Sequence, residues 1–292
     1  MKEKVIFALG FFDGVHLGHR ALLEESCRLA AEYGCVPGVV TFTTHPEAVV
    51  AGAAPKLINT IEDRCRLFVS CGVSRHVLLP FDDALRNLSG QAFLERLVEA
   101  GAVGFVCGDD FRFGYRGEGD ARYLKEFCKS RGLACSVVPG QSLEQTRVSS
   151  THIRALLESG EMAEACRFLG HPHLLTGTVV TGKQLGRTIG VPTANLLLPE
   201  GVITPRFGVY ACTTRVEGHT YVAVTNIGTR PTVEGEGVTV EAWLLDFSGD
   251  LYGKELSLNF HSFLRPEQKF DSLEQLQSQI REDAAKAFAL LK

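Results

Sequence analysis

Val5-Ile6-Phe7-Ala8-Leu9 runs directly into Gly10-Phe11-Phe12-Asp13-Gly14-Val15-His16-Leu17-Gly18-His19. Five apolar residues bounded by a glycine turn read as a buried strand. The glycines permit a tight turn, and a helix is expected from around His19, carrying Ala21, Leu22, Leu23, Cys27, Leu29 and Ala30. Such a strand–turn–helix aims backbone N–H groups and the positive end of a helix at one point, which suits phosphate. His16 and His19 are three residues apart with Gly18 between them, so one helical turn can present both imidazoles to the same anion.

Outward from this turn, up to about residue 170, short apolar runs alternate with helical patterns. Strands are expected at Val5–Leu9, Val36–Phe42, His76–Leu79, Val103–Cys107 and Ala134–Val138, with helices around 20–33, 61–71, 89–100 and 120–131. Ser89 and Asp120 stand where N-caps belong, and Gly72, Gly101 and Gly132 where helices end. Strand–helix alternation predicts a parallel sheet with helices on both faces, and ligands on such sheets bind beyond the strands' carboxyl ends. The Gly10–His19 turn lies at that edge.

From Leu174 to Leu264 the chain becomes β-branched, alternating and rich in turns. Strands are expected at Leu175–Val180, Gly208–Val216, Tyr221–Val224, Val238–Leu245 and Leu256–Phe263. Glu217-Gly218-His219 and Ser248-Gly249-Asp250 read as hairpin connections, and antiparallel strands at this spacing suggest a small barrel. Asp271-Ser272-Leu273-Glu274 reads as a capping box opening a final helix, with Leu273, Leu276, Ile280, Ala284 and Ala287 on one face. The boundary between the two halves is expected near His171-Pro172-His173.

The 292 residues suffice for two domains, and 45% hydrophobic with 22% charged residues allows ordinary cores. A formal charge of −4 argues against a nucleic-acid or anionic-membrane partner, because those surfaces select for basic excess. The nine cysteines include no Cys-x-x-Cys pair, which fits reduced thiols in a cytoplasm better than a disulfide framework or a zinc site. Val5–Phe12 is too short, and too closely flanked by Glu3, Asp13 and His16, for a signal-peptide core, and no stretch approaches membrane-spanning length. The expectation is a soluble, cytoplasmic protein.

Taken together, these motifs resemble the bifunctional prokaryotic riboflavin kinase/FAD synthetase family over nearly the whole chain. His16-Leu17-Gly18-His19 is similar to the nucleotidyltransferase signature, whose histidines stabilise charge on an α-phosphate. Thr41-Phe42-Thr43-Thr44-His45-Pro46 stands where the family has Thr-Phe-x-Pro-His-Pro, with Thr44 replacing the usual proline. Gly108-Asp109-Asp110-Phe111-Arg112-Phe113-Gly114 stands at the expected flavin and nucleotide pocket. Val148-Ser149-Ser150-Thr151-His152-Ile153-Arg154 stands where the family grips the ATP phosphates.

In the second half the resemblance continues through Gly182–Gly190, with Gly186-Arg187, into Pro192-Thr193-Ala194-Asn195. There the family's threonine hydroxyl and asparagine carbonyl hold the magnesium that bridges the ATP phosphates, and magnesium prefers such hard oxygens. Glu241 matches the general base for the riboflavin 5′-hydroxyl, with tryptophan at 243 where histidine is usual. Leu264-Arg265-Pro266-Glu267-Gln268-Lys269-Phe270 matches the riboflavin-side segment.

The resemblance implies an α/β fold: a Rossmann-like nucleotidyltransferase domain over 1–170, then a small antiparallel β-barrel riboflavin kinase domain with a C-terminal helix over 171–292. It implies phosphorylation of riboflavin to FMN and adenylylation of FMN to FAD, with ATP and Mg2+. Catalytic roles fall to Glu241, His16, His19 and Arg154. ATP and phosphate binding falls to Gly10, Phe12, Asp13, Gly14, Gly18, Ser149, Ser150, Thr151, Gly182, Gly186, Arg187, Thr193 and Asn195, the last two also holding the metal. Flavin binding falls to Phe42, His45, Asp110, Phe111, Phe113, Arg265, Glu267 and Phe270. The implied partners are small molecules, with no nucleic acid and no membrane, and homo-oligomer formation is left open.

Plainer readings stand beside these. His76 and His261 receive no role; Phe111 and Phe113 alternate as core residues would; Trp243 suits packing; Thr193 and Asn195 alone could be turn formers. Two rival functions are another small-molecule adenylyltransferase with an accessory barrel, and a non-catalytic flavin- or RNA-binding regulator. The first leaves Pro-Thr-Ala-Asn and Glu241 unexplained, and the acidic balance counts against RNA.

Overall fold

A computed structural model describes residues 3–182, 190–232 and 235–292. It divides into two compact units, Met1–Lys56 with Ile61–Ser150, and Leu57–Thr60 with Thr151–Lys292.

In the first unit, β1 (Val5–Leu9), β2 (Val36–Phe42), β3 (Arg75–Leu79), β4 (Ala102–Gly108) and β5 (Ala134–Val138) form a parallel sheet in the order β3-β2-β1-β4-β5. All five residues of the central strand β1 are buried, as a strand covered on both faces must be. Val5, Phe7 and Leu9 pack with Phe93, Leu94 and Leu97 of α5 (Gly90–Glu99) and Leu124 and Phe127 of α6 (Ala121–Arg131). Ile6 and Ala8 point the other way by strand alternation. That face is covered by α1 (Leu17–Glu32), through Leu22, Leu23, Leu29 and Ala30. Ser89 and Asp120 cap α5 and α6 as expected, accepting from the amides of Ala92 and Tyr123. Gly132 ends α6 in the left-handed region at φ 65°.

α1 begins two residues earlier than the sequence suggests. His16 is its N-cap, and its Nδ1 accepts from the His19 amide at 3.3 Å. Histidine is not a usual cap, so the start was invisible to cap preferences.

After the short antiparallel pair β6 (Ser142–Leu143) and β7 (Thr146–Arg147), the second unit's β8 (His173–Val180), β9 (Ala194–Leu197), β10 (Gly208–Val216), β11 (His219–Thr232), β12 (Gly235–Leu244) and β13 (Glu255–Arg265) close into an antiparallel barrel. Its order is β10-β11-β12-β9-β8-β13. Glu217 and Gly218, at φ 51° and 87°, make a two-residue hairpin loop with the positive φ values that a type I′ turn needs.

Ser248-Gly249-Asp250 is not a hairpin turn, contrary to the sequence reading. It lies in the ten-residue link from β12 to β13, and β9 and β8 stand between those strands in the barrel. β9 itself was not anticipated, because its four residues sit among turn-forming types. Its pairing to β12 makes it a strand. The final helix, α9 (Leu273–Leu291), is capped by Ser272, with Gln275 reaching back to the Asp271 amide. The box therefore runs from Ser272 to Gln275, one position later than the Asp271–Glu274 reading. Ala284 and Ala287 of α9 seat against Val209, Ala211 and Val224 on the barrel's outer face, whereas Leu273 stays exposed.

Inside the barrel, Phe260 stands in register between His173 and Cys212, and all three are fully buried. Neither ring nitrogen of His173 has a hydrogen-bond partner among the described residues. Burial, with His171 nearby, pushes its pKa down to about 3. The folded protein thus keeps His173 neutral while the unfolded chain protonates it near the ordinary value of 6.5. Its contribution is fully present above about pH 6.5 and is lost as pH falls towards 3, at up to about 1.4 kcal/mol per pH unit. His173→Leu is expected to flatten the acid limb of a Tm-against-pH curve for the barrel. An unchanged limb would remove His173 as a cause of acid lability.

Candidate functional site

In the first unit, a cleft of about 410 Å³ opens at the carboxyl ends of β1, β4 and β5. It is lined by His16, Gly18, His19, Asp110, Ser149 and Ser150, among others. The imidazoles of His16 and His19 stack at 3.6 Å with planes 12° apart. Because His16 Nδ1 accepts from a backbone amide, a neutral His16 ring carries its proton on Nε2 and presents it as a donor. His19 Nδ1 is shielded and has no partner among the described residues. Burial, reinforced by His16 and the Arg64 cation, holds the His19 pKa well below its ordinary value.

The turn that aims these rings is strained. Phe12, Gly14 and Val15 have φ of 58°, 82° and 42°, and the value for Val15 is unusual for a β-branched residue. The surroundings hold it in place, as such strain requires. Phe12 is buried edge-on against His19 and Phe68. A Cβ at Gly10 would sit 3.0 Å from the Phe12 ring, so any other residue there would have to push that ring aside. Asp13 is buried, and Ser150 Oγ donates to its carbonyl at 2.9 Å, bringing the Ser149-Ser150 segment to the turn.

Arg64 of α3 (Ile61–Ser70), which sequence reasoning missed, donates to the carbonyls of Phe11 at 2.6 Å and Phe42 at 3.1 Å. Its guanidinium also lies 4.6 Å over the Phe11 ring and is fully buried. One guanidinium thus ties the His16 turn to the loop after β2. The available signal was a basic residue among the inward positions of an amphipathic helix.

Asp110 lines the same cleft, paired to Arg147 at 2.5 Å. Phe42 and Phe113 line a second cleft of about 290 Å³ with Phe81, Phe93 and Leu85. Phe113 is mostly core, packed on Phe93 and Tyr123, and Phe111 stacks on it at 5.8 Å without lining this cleft. His45 caps α2 (Pro46–Val50) and meets the Phe11 ring edge-on at 4.6 Å. Thr151 and Arg154 follow on α7 (Ser150–Ser159), within the second unit.

In the barrel, two clefts share one residue. A cleft of about 420 Å³ is lined by Val179, Pro192, Thr193, Ala242, Asp250 and Tyr252, among others. Another of about 390 Å³ is lined by Thr193, Asn226, Glu241, Trp243, Glu267 and Phe270, among others. Thr193 borders both. Glu241 on β12 stands in register with Asn195 on β9 and Asn226 on β11, so the three side chains form a row on one face. Asn195 Oδ1 is buried with no partner among the described residues, and Gly182 is so close that a Cβ would fall 2.4 Å from the Asn195 amide. Gly186 and Arg187 lie outside the described residues.

Glu267 accepts from Asn226 Nδ2 at 3.4 Å and lies against Gly228, where a Cβ would displace the Glu267 carboxylate. Arg265 reaches the cleft wall, and its donors are engaged by Asp283 of α9 and the Pro266 carbonyl. Phe270 lies under the same guanidinium at 5.7 Å. Asp283, missed from sequence, falls three residues after Ile280 and four before Ala287, so an acidic residue on the apolar face of the helix was the available signal.

Residues 1–152 match the family model described as FAD synthetase, and residues 169–291 the one described as riboflavin kinase. A Listeria monocytogenes protein named bifunctional riboflavin kinase/FMN adenylyltransferase is 36% identical over 282 residues, covering 95% of this chain and 90% of the relative. This chain belongs to the bifunctional riboflavin kinase/FMN adenylyltransferase family. A relative of the same name from Pseudomonas fluorescens is 37% identical, covering 98% of this chain and 92% of its own. A crystal structure from Streptococcus pneumoniae, described as a macrolide-efflux protein, superposes with TM-score 0.86 at 31% identity, covering 98% and 94% of the two chains. In the present family member, no described helix is long and apolar enough to cross a membrane.

Proposed function

We propose that this chain makes FMN and then FAD in two chemically separate sites, each assembled from the residues above. In the barrel, ATP phosphorylates riboflavin to FMN and ADP; in the first unit, FMN and a second ATP give FAD and pyrophosphate. What carries the reading is the row Asn195–Glu241–Asn226 beside Thr193, a residue bordering two clefts at once. A phosphoryl donor in one cleft and a hydroxyl acceptor in the other would meet at that row.

The Glu241 carboxylate accepts the proton of the riboflavin 5′-hydroxyl as its oxygen bonds to the γ-phosphorus and the bond to ADP breaks. Asn226 and Glu267 border the same cleft and orient the acceptor. The partnerless Asn195 Oδ1 and the Thr193 hydroxyl are hard oxygen donors of the kind Mg2+ takes, so the residues present fit that ion. Bound there, Mg2+ would neutralise charge on the ATP phosphates. Thr193→Ala and Asn195→Ala are expected to cripple FMN formation and raise the Mg2+ requirement, while supplied FMN is still adenylylated. Normal kinase activity across a magnesium titration in both variants would remove these residues from the metal site.

In the first unit the FMN phosphate attacks the α-phosphorus of ATP, and the bond to pyrophosphate breaks. His16 and His19, the amides at the start of α1 and the Ser149-Ser150 segment stabilise the charge that builds there. The aromatic cleft bordered by Phe42 and Phe113 suits a flavin ring. The partners in this reading are ATP and flavins, with no nucleic acid and no membrane. Nine free cysteines and a formal charge of −4 support a cytoplasmic location. Incubation with riboflavin, ATP and Mg2+ should show riboflavin converting first to FMN and then to FAD on chromatography; absence of either product would refute that half of the reading.

A further inference from the structure

Arg64 faces inward from α3 and is fully buried, yet its terminal nitrogens donate to neutral groups. Nη1 reaches the Phe11 carbonyl and the Thr41 hydroxyl, and Nη2 reaches the Phe42 carbonyl. Its Nε has no partner among the described residues. The Asp13 carboxylate, in the histidine turn itself, offsets part of its charge. Taking a guanidinium out of water is costly, and an aliphatic side chain would fill this inward helix position without that cost. What the guanidinium does beyond filling space is therefore to be sought in the backbone it holds.

The Phe11 carbonyl takes two donors, Arg64 Nη1 at 2.6 Å and Thr41 Oγ1 at 2.7 Å. Its peptide leads into Phe12, whose φ of 58° is the first strained step of the turn, so holding that carbonyl holds the strain in place. Phe68 stands four residues after Arg64 on the same face of α3 and meets the Phe12 ring edge-on at 5.6 Å. The Phe12 ring in turn meets His19 at 5.2 Å, and His19 stacks on His16. At its other end the guanidinium holds the carbonyl of Phe42, the last residue of β2, a strand flanked by β1 and β3 inside the sheet. A planar fork of fixed spacing suits this bridge between two carbonyls; a lysine ammonium keeps the charge without the fork. We propose that Arg64 is a positioning residue for adenylyl transfer: it clamps the Phe11–Phe12 peptide to the end of β2 and so keeps His16 and His19 aimed at the phosphate under attack. The proposal rests on the adenylylation reading of this cleft.

Steady-state adenylylation of supplied FMN tests it. Arg64→Met keeps the apolar stem and removes the fork, and its kcat should fall about 10²-fold, the scale of a misplacement of about 1 Å at a reacting centre. Arg64 is not among the residues lining the cleft, so the KM values for FMN and ATP should stay within about threefold of the parent. Arg64→Lys should recover only part of the rate. The same Arg64→Met change is then made in His19→Ala. There it should cost at most about tenfold more, because one of the two rings it aims is gone, and residues that act as a unit lose rate non-additively. A side chain that only stabilised the fold would cost the same factor in both backgrounds.

Parent kcat in Arg64→Met would overturn the clamp while leaving the adenylylation reading intact. An equal further loss in the His19→Ala background would also overturn it, by separating Arg64 from the histidines. So would full recovery in Arg64→Lys, since charge without the fork would then suffice, or a raised KM at unchanged kcat, which would make Arg64 a binding residue. If circular dichroism shows that Arg64→Met does not fold, the same cycle is run with Arg64→Lys, and its smaller loss should shrink in His19→Ala in the same way. Failure of the parent to adenylylate FMN at all would instead remove the reading beneath the proposal.

Discussion

Riboflavin phosphorylation by Glu241→Gln is expected to fall in kcat by about 10²- to 10⁴-fold, the usual contribution of a positioned general base. Glutamine keeps the shape and the hydrogen-bonding reach of the side chain, so its place between Asn195 and Asn226 should survive. It removes only the capacity to take a proton. The riboflavin KM should therefore change little, which marks an interaction made in the transition state rather than in binding. Adenylylation of supplied FMN should proceed at the parent rate. If Glu241→Gln phosphorylates riboflavin nearly as fast as the parent, Glu241 is an ordinary sheet residue and the base lies elsewhere.

His19→Ala is expected to reduce FAD formation by at least about 10²-fold, the typical effect of removing one preorganised donor to a developing charge. Kinase activity should remain, because His19 belongs to the first unit and Glu241 to the second. Burial, reinforced by His16 and the Arg64 cation, keeps the free His19 ring neutral at neutral pH. A bound phosphate anion opposes that effect, so the ring gains proton affinity as substrate binds. His19→Gln, which restores a donor of similar length, should recover part of the rate. Equal loss of FMN and FAD formation in a folded His19→Ala would contradict a division into two sites.

Much of this architecture was legible because its causes are local. The buried run Val5–Leu9 and the caps Ser89 and Asp120 announce their elements through hydrophobicity and turn chemistry, and the structure places them at those positions. β9 was hidden because its residues are strand only through long-range pairing with β12. The Ser248-Gly249-Asp250 link was misread for the same reason: glycine and aspartate reveal a turn but not which strands it joins. Arg64 and Asp283 escaped notice because each acts through partners distant in sequence, Phe11 and Phe42 for one and Arg265 for the other. The histidine pair was readable from spacing alone, whereas the strained backbone at Phe12 and Val15 that aims it was not.

If two separate sites act in sequence through FMN, two variants that each lack one of them should complement each other on mixing. Glu241→Gln and His19→Ala are each incubated with riboflavin, ATP and Mg2+, alone and together, and the flavins are separated over time. Glu241→Gln alone should leave riboflavin essentially unconverted, and His19→Ala alone should accumulate FMN without FAD. The mixture should make FAD, as FMN released by one variant is adenylylated by the other. A mixture in which FMN accumulates but no FAD forms, with both proteins folded, would show that FMN does not pass between two separate sites.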